Sequence, residues 1–121
     1  MADTRTLGFQ KEKEAANFIK NKGYKILTTN YSTQYGEIDI IAKYKKDIVF
    51  IEVKYRQSSF SGTPQEAVNF KKQQKIIKSA AIYIKENNIK ANIRFDVVAI
   101  SATEIAIIES AFDADSAGFY I

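Results

Sequence analysis

An α/β sandwich around a mixed sheet of about five strands is the fold class this chain predicts. Three observations predict it. Apolar patterning along the 121 residues runs helix, three strands, helix, two strands. The second and third strands are joined by a link so short that they must form an antiparallel hairpin. The second helix separates the third strand from the fourth, which is the crossover that a parallel pair requires.

The elements follow in order. Residues from about 5 to 22 read as an amphipathic helix stopped by Gly23, with Gly8, Ala15, Ala16 and Ile19 as its apolar stripe. Glu12 falls on that stripe by helical spacing, an unusual place for a carboxylate unless it lies at the edge and reaches solvent. Tyr24 to Tyr31 is a first strand. Gly36–Lys43 and Ile48–Tyr55 are β-branched runs flanking Tyr44-Lys45-Lys46-Asp47, the second and third strands. Tyr55 to Gly62 is polar and loop-like, and Thr63-Pro64-Gln65-Glu66 has the form of a capping box with proline at the first helical position. Asn69 caps a longer helix running to about Asn87, with Gln73, Ile76, Ile77, Ala80, Ala81 and Ile84 as its buried stripe. Its first half carries Lys71, Lys72, Lys75 and Lys78, against the preference of the helix dipole and consistent with a bound anion or with a solvated face. Arg94–Ile100 and Glu104–Glu109 are the last two strands, followed by a tail with Phe112, Phe119, Tyr120 and Ile121.

The hairpin carries the chemistry. With Lys45-Lys46 as a two-residue turn, cross-strand partners have numbers that sum to 91. Asp39 then lies opposite Glu52 and Glu37 opposite Lys54, with all four side chains expected on one face. Like charges opposed across two strands are destabilising, the more so when buried. Both faces here look covered, since Ile40-Ile41-Ala42 and Val49-Phe50-Ile51 are apolar at consecutive positions. Two such carboxylates need a cation, and a hard divalent metal with oxygen ligands supplies one, with Lys54 beside it. Glu37 is equally suited to pairing with Lys54 and to ligation. The plain alternative is a solvated polar face at the end of an ordinary hairpin.

Composition narrows the choice. Length, a single proline and 45% hydrophobic residues fit one globular domain spanning 1–121. With no cysteine and no histidine, thiolate or imidazole zinc sites, a Ser-His-Asp triad and a Cys-His pair are impossible within the chain. Oxygen-ligated Mg²⁺ or Mn²⁺ chemistry survives. The absence of cysteine, a charged N-terminal segment and the lack of a long apolar run lead us to expect a cytoplasmic protein without a membrane partner. All 18 Lys and Arg lie in residues 1–100 with 10 acids, while residues 101–121 hold 4 acids and no base. Such a surface suits a phosphate-rich partner, and it equally suits lysine kept for solubility.

The motifs together resemble a known family. Glu12 on a helix, then Asp39, Glu52 and Lys54 spaced as D-x(12)-E-x-K on a hairpin, then a basic helix, resemble the PD-(D/E)XK nuclease superfamily. More finely, Gly23-Tyr24, Gly36-Glu37-Ile38-Asp39-Ile40-Ile41-Ala42, Phe50-Ile51-Glu52-Val53-Lys54, Glu66-Ala67-Val68, Lys72 and Arg94-Phe95-Asp96-Val97-Val98 resemble the YraN-like bacterial family, which is similar to archaeal Holliday-junction resolvases. The resemblance implies a three-layer, restriction-endonuclease-like sandwich and a Mg²⁺- or Mn²⁺-dependent endonuclease acting on DNA, including branched DNA, in repair or recombination. It implies that Asp39, Glu52, the Val53 carbonyl and Glu12 hold metal and that Lys54 joins Asp39, Glu52 and Glu12 in catalysis. Lys72, Lys75, Lys43, Lys45 and Lys46 would track the phosphate backbone, and the biological unit would be a homodimer. The rival expectations are a nucleic-acid-binding module on the same fold with little or no turnover, and a protein-interaction adaptor.

Overall fold

The computed structural model describes residues 4–55 and 68–114. The expected capping box at 63–66, the polar loop beyond Tyr55 and the terminal Phe119, Tyr120 and Ile121 lie outside those residues. The elements run α1 (Thr4–Asn21), β1 (Lys25–Thr33), β2 (Gly36–Tyr44), β3 (Asp47–Tyr55), α2 (Phe70–Glu86), β4 (Ile93–Ile100) and β5 (Ile105–Phe112). The five strands form one sheet in sequence order. All neighbours are antiparallel except β3 and β4, which are parallel across the α2 crossover. The mixed sheet expected from the order of elements is therefore present.

Local chemistry sets the element ends. α1 stops where Gly23 takes φ 98°, a conformation that costs a glycine little. α2 begins at Asn69, whose side chain accepts a 2.9 Å hydrogen bond from the Lys72 amide, and ends at Asn87. The β2–β3 hairpin closes through Tyr44↔Asp47, with Lys45 at φ 55° in the turn, and pairs Ile40↔Ile51, Ile41↔Phe50 and Ala42↔Val49. This is the register read from the sequence.

Two apolar layers hold the helices on opposite faces of the sheet. Ile76, Ile77 and Ala80 of α2 pack on Ile38, Ile41, Ile48, Phe50, Phe95 and Val97. Ala15 and Ile19 of α1 pack on Ile40, Ala42, Val49, Ile51, Val98 and Ile100. Phe50, Phe95 and Phe112 stack in a row, with centroids 5.5 and 5.1 Å apart, so the first aromatic of the tail belongs to the core. Gly8 differs from expectation. It is exposed, and a Cβ there would meet nothing within 4 Å, so the apolar stripe of α1 starts later, at Ala15.

One polar cluster is embedded in the α1 side. Arg94 grips Asp96 with two 2.9 Å hydrogen bonds, Nε to Oδ1 and Nη2 to Oδ2, and donates a third of 2.7 Å to the Tyr24 hydroxyl. The Ser110 amide also donates to Asp96, which is 0% exposed. A buried carboxylate is tolerated only when paired and hydrogen-bonded in this way. Burial, with Asp96 next, pushes the Tyr24 hydroxyl well above its ordinary range, and the hydrogen bonds to Asp96 push Arg94 up likewise.

Candidate metal centre

Beyond the Ile40–Ile51 rung the β2–β3 ladder stops, and a side chain replaces the next backbone bond. Asp39 Oδ2 accepts a 2.8 Å hydrogen bond from the Val53 amide. A strand residue's N–H and C=O point to the same neighbour, so the Val53 carbonyl also faces β2. The gap between the two strands opens into a pocket lined by Leu7, Gly8, Lys11 and Glu12 of α1 with Asp39, Glu52, Val53 and Tyr55.

The carboxylates do not share one face as the alternation suggested. Ile48 and Phe50 face α2, so Glu52 and then Lys54 follow them to that side. Glu52 Oε1 accordingly lies 3.7 Å from Lys72 Nζ of α2. Asp39 instead joins Glu12 and Glu37 toward α1, where one carboxylate oxygen from each lies within 4.8 Å of the other two. The reason is an irregularity in the sheet. Ile38 faces α2, while Ile40 packs on the α1 side together with Asp39. Across from Asp39, by the Thr29↔Ile40 and Tyr31↔Ile38 register, Asn30 sits at φ 51°. The pairing keeps step across this point, so the left-handed Asn30 and the change of side between Ile38 and Ile40 mark a local twist without an inserted residue, and Asp39 and Glu37 gather toward the helix that carries Glu12. Asp39 and Glu52 still meet, because both reach the gap past the last rung.

Asn30 is the residue sequence reasoning missed. Its Nδ2 donates to Glu12 Oε2 at 2.9 Å and to Glu37 Oε1 at 3.0 Å, clamping helix and strand carboxylates together. Ser32 Oγ adds a 3.4 Å bond to Glu37 Oε2. Glu37 is thus held by Asn30 and Ser32 and belongs with the acids. A lone Asn in a strand was the only signal, and it is a weak one.

Electrostatics mark the same place. Burial first, and then the charge of Glu52, push the Asp39 carboxyl up to about 8, against the lowering effect of the Val53 amide. Burial also raises Glu52, opposed by Lys72 and Lys54. Glu52 is 6% exposed, and its Oε2 is buried without a hydrogen-bond partner. An all-oxygen donor set from Glu12, Glu37 and Asp39, beside an orphaned carboxylate oxygen, fits a hard divalent cation such as Mg²⁺ or Mn²⁺. Glu52 lies outside the 4.8 Å group yet, after burial, acts most strongly on Asp39. We place it beside the three, within reach of the Asp39 side of the site.

The proposed phosphate-binding lysines divide into two places. Lys72 is beside Glu52, and Lys75 is on the next turn of α2. Lys43, Lys45 and Lys46 are at the far end of the hairpin, at the tip away from the acids.

Comparison with known proteins then decides the family. Its sequence profile matches residues 11–100. The chain belongs to the uncharacterised protein family UPF0102. This is the YraN-like family that the motifs indicated. A UPF0102 protein of Caldanaerobacter subterraneus subsp. tengcongensis is 50% identical over 97 residues, which cover 79% of this chain and 80% of that protein. One from Thermodesulfovibrio yellowstonii is 49% identical over 106 residues, covering 88% and 95%. One from Lachnoclostridium phytofermentans is 44% identical over 109 residues, covering 88% and 92%. The UPF0102 match runs from within α1 to the end of β4 and so includes Glu12, Glu37, Asp39 and Glu52. Among the described residues, no helix is long and apolar enough to cross a membrane.

Proposed function

We propose that this UPF0102 protein is a Mg²⁺- or Mn²⁺-dependent endodeoxyribonuclease of the PD-(D/E)XK type, similar to Holliday-junction resolvases and acting on branched DNA in repair or recombination. The observation that carries the reading is the convergence of Glu12, Asp39 and Glu52, from three separate elements, on one pocket, with Glu37 grouped with Glu12 and Asp39 and with Glu52 Oε2 orphaned. Structural stability gives no reason to crowd four acids together, one of them buried, since like charges disfavour one another.

Glu12, Glu37 and Asp39 would hold the cation with the Val53 carbonyl, and Glu52 would complete the site or orient a water within it. A divalent ion bound there polarises a phosphodiester and lowers the pKa of an attacking water. Asn30 keeps Glu12 and Glu37 aligned before substrate arrives. Lys54, two residues past Glu52 on the same strand, would stabilise charge developing on the phosphate. Lys72 neutralises Glu52 in the resting protein and is freed for a phosphate when a cation takes over that charge.

The test is incubation with Mn²⁺ and separately Mg²⁺ of duplex, flap, four-way-junction and single-stranded DNA. The reading expects divalent-dependent cleavage, with 5′-phosphate ends and a preference for the branched substrates, lost in Lys54→Ala. The Lys72–Glu52 ion pair favours a second reading, a nucleic-acid-binding module with little turnover, because the chain's own cation already neutralises Glu52. Binding without cleavage under every divalent ion supports that second reading and overturns the first.

A further inference from the structure

A second concave surface lies on the α2 side, lined by Gln34, Tyr35, Lys71, Gln74, Lys75 and Lys78. It is built from the β1–β2 turn and one face of α2. The turn is pinned to the helix by a 2.7 Å hydrogen bond between Thr33 Oγ1 and Ser79 Oγ, and the Tyr35 amide donates to Thr33 Oγ1 at 3.0 Å. Gly36, at φ 144°, lets the turn lie close against Lys75, whose Cβ would be 3.8 Å from an added Cβ. The Tyr35 ring is thereby fixed at the mouth, 39% exposed, with Lys78 Nζ 5.3 Å from its centroid.

Lys71, Lys75 and Lys78 recur at i, i+4 and i+7, so they form one row. At about 1.5 Å per residue that row spans roughly 10 Å, enough to follow successive phosphates along one strand. Lys72, next to Lys71 on the same helix, pairs with Glu52, and Lys75 lies against Gly36 beside Glu37, so the row runs close to the acids of the metal centre. An exposed aromatic ring beside evenly spaced ammonium groups matches what a single strand offers, π-faces alternating with phosphates. A duplex keeps its bases stacked inside and leaves such a ring nothing to do. No acid is among the lining residues.

We infer that the Tyr35–Lys71–Lys75–Lys78 groove is a subsite for an unpaired strand of nucleic acid, with Tyr35 as the stacking platform for a base. As a guide for the unpaired arm of a branched substrate it rests on the endonuclease reading, whereas strand binding itself does not.

The experiment is fluorescence anisotropy with a labelled twelve-residue oligo-deoxythymidine, and with a blunt duplex of equal length, in EDTA at low salt. It compares the parent chain with Tyr35→Ala, Tyr35→Phe and Lys75→Ala. Tyr35→Ala is expected to weaken single-strand binding about tenfold, the equivalent of about 1.4 kcal/mol, and duplex binding less than threefold. Tyr35→Phe should stay within threefold of the parent on both, and Lys75→Ala should weaken single-strand binding with a shallower salt slope. No measurable single-strand binding by the parent, a Tyr35→Ala loss under threefold, or an equal loss on duplex overturns the inference. Cleavage plays no part in the readout. A protein that passes without cutting DNA keeps this subsite and loses the endonuclease reading, and one that cuts but fails here loses only the subsite.

Discussion

The Asp39 carboxylate takes the place of a rung in the β2–β3 ladder, accepting the Val53 amide at 2.8 Å just past the Ile40–Ile51 pair. Oδ2 is thereby spent on the fold, in a carboxylate that also lies beside Glu12 and Glu37. Structural and chemical roles are separable by substitution. Asp39→Asn keeps an acceptor for Val53 and removes the cost of ionising a carboxyl beside Glu52, so in EDTA at pH 8.5 it should unfold at an equal or higher urea concentration than the parent. Asp39→Ala strands the Val53 amide and should cost about 1–3 kcal/mol. Urea titration of both variants checks the ordering.

The raised Asp39 carboxyl makes metal-free stability depend on pH. An unfolded aspartate releases its proton near pH 4, whereas the folded one holds it to about 8. Between those values the folded state binds more protons, so stability falls as pH rises, by at most about 1.4 kcal/mol per pH unit for one proton. Glu52, also raised, acts in the same direction. Urea unfolding in EDTA at pH 5, 7 and 8.5 should show the decline, and Asp39→Asn should flatten it. A rise in stability across that range would refute the assignment.

Asn30 combines a left-handed backbone with a clamp on two carboxylates. Asn30→Gly removes the clamp alone, while Asn30→Ala also forces a side chain with Cβ into φ 51°, at a further cost of about 1–2 kcal/mol. The glycine variant should therefore be the more stable by thermal melt, and both should need more Mn²⁺ for half-maximal stabilisation than the parent.

Arg94 and Asp96 form the buried pair that closes the α1 side. Arg94→Met leaves the Asp96 carboxylate, 0% exposed, without its partner, and should cost about 3–5 kcal/mol. Tyr24→Phe removes only a hydroxyl and should cost about 1 kcal/mol. Denaturant unfolding of the two variants reads the difference. A loss under 1 kcal/mol for Arg94→Met would mean the pair contributes little.

Much of this was legible in the residues themselves. Asn69 and Asn87 bound α2 because caps are local chemistry, and the hairpin register followed from a two-residue turn and two β-branched runs. The Gly23 stop and the parallel β3–β4 crossover were legible for the same reason. The faces of the acids were not. Period-two alternation assumes an unbroken strand, and the irregularity at Asn30 and Asp39 turns Asp39 and Glu37 toward α1 while Glu52 and Lys54 face α2. Gly8 belonged to the apolar stripe by spacing but lies beyond the part of α1 that touches the sheet. The Arg94-Phe95-Asp96 motif was visible without its meaning, since its partner Tyr24 is 70 positions from Arg94 and only the folded chain joins them.

The most direct measurement is isothermal titration of Mn²⁺ into the EDTA-stripped, dialysed protein beside Asp39→Asn and Glu12→Gln. One oxygen-lined site per chain should be filled by the parent, with proton release at pH 7, and each variant should weaken it by tenfold or more. Heats indistinguishable from dilution in the parent, or equal affinity in all three proteins, would contradict a metal centre at these carboxylates.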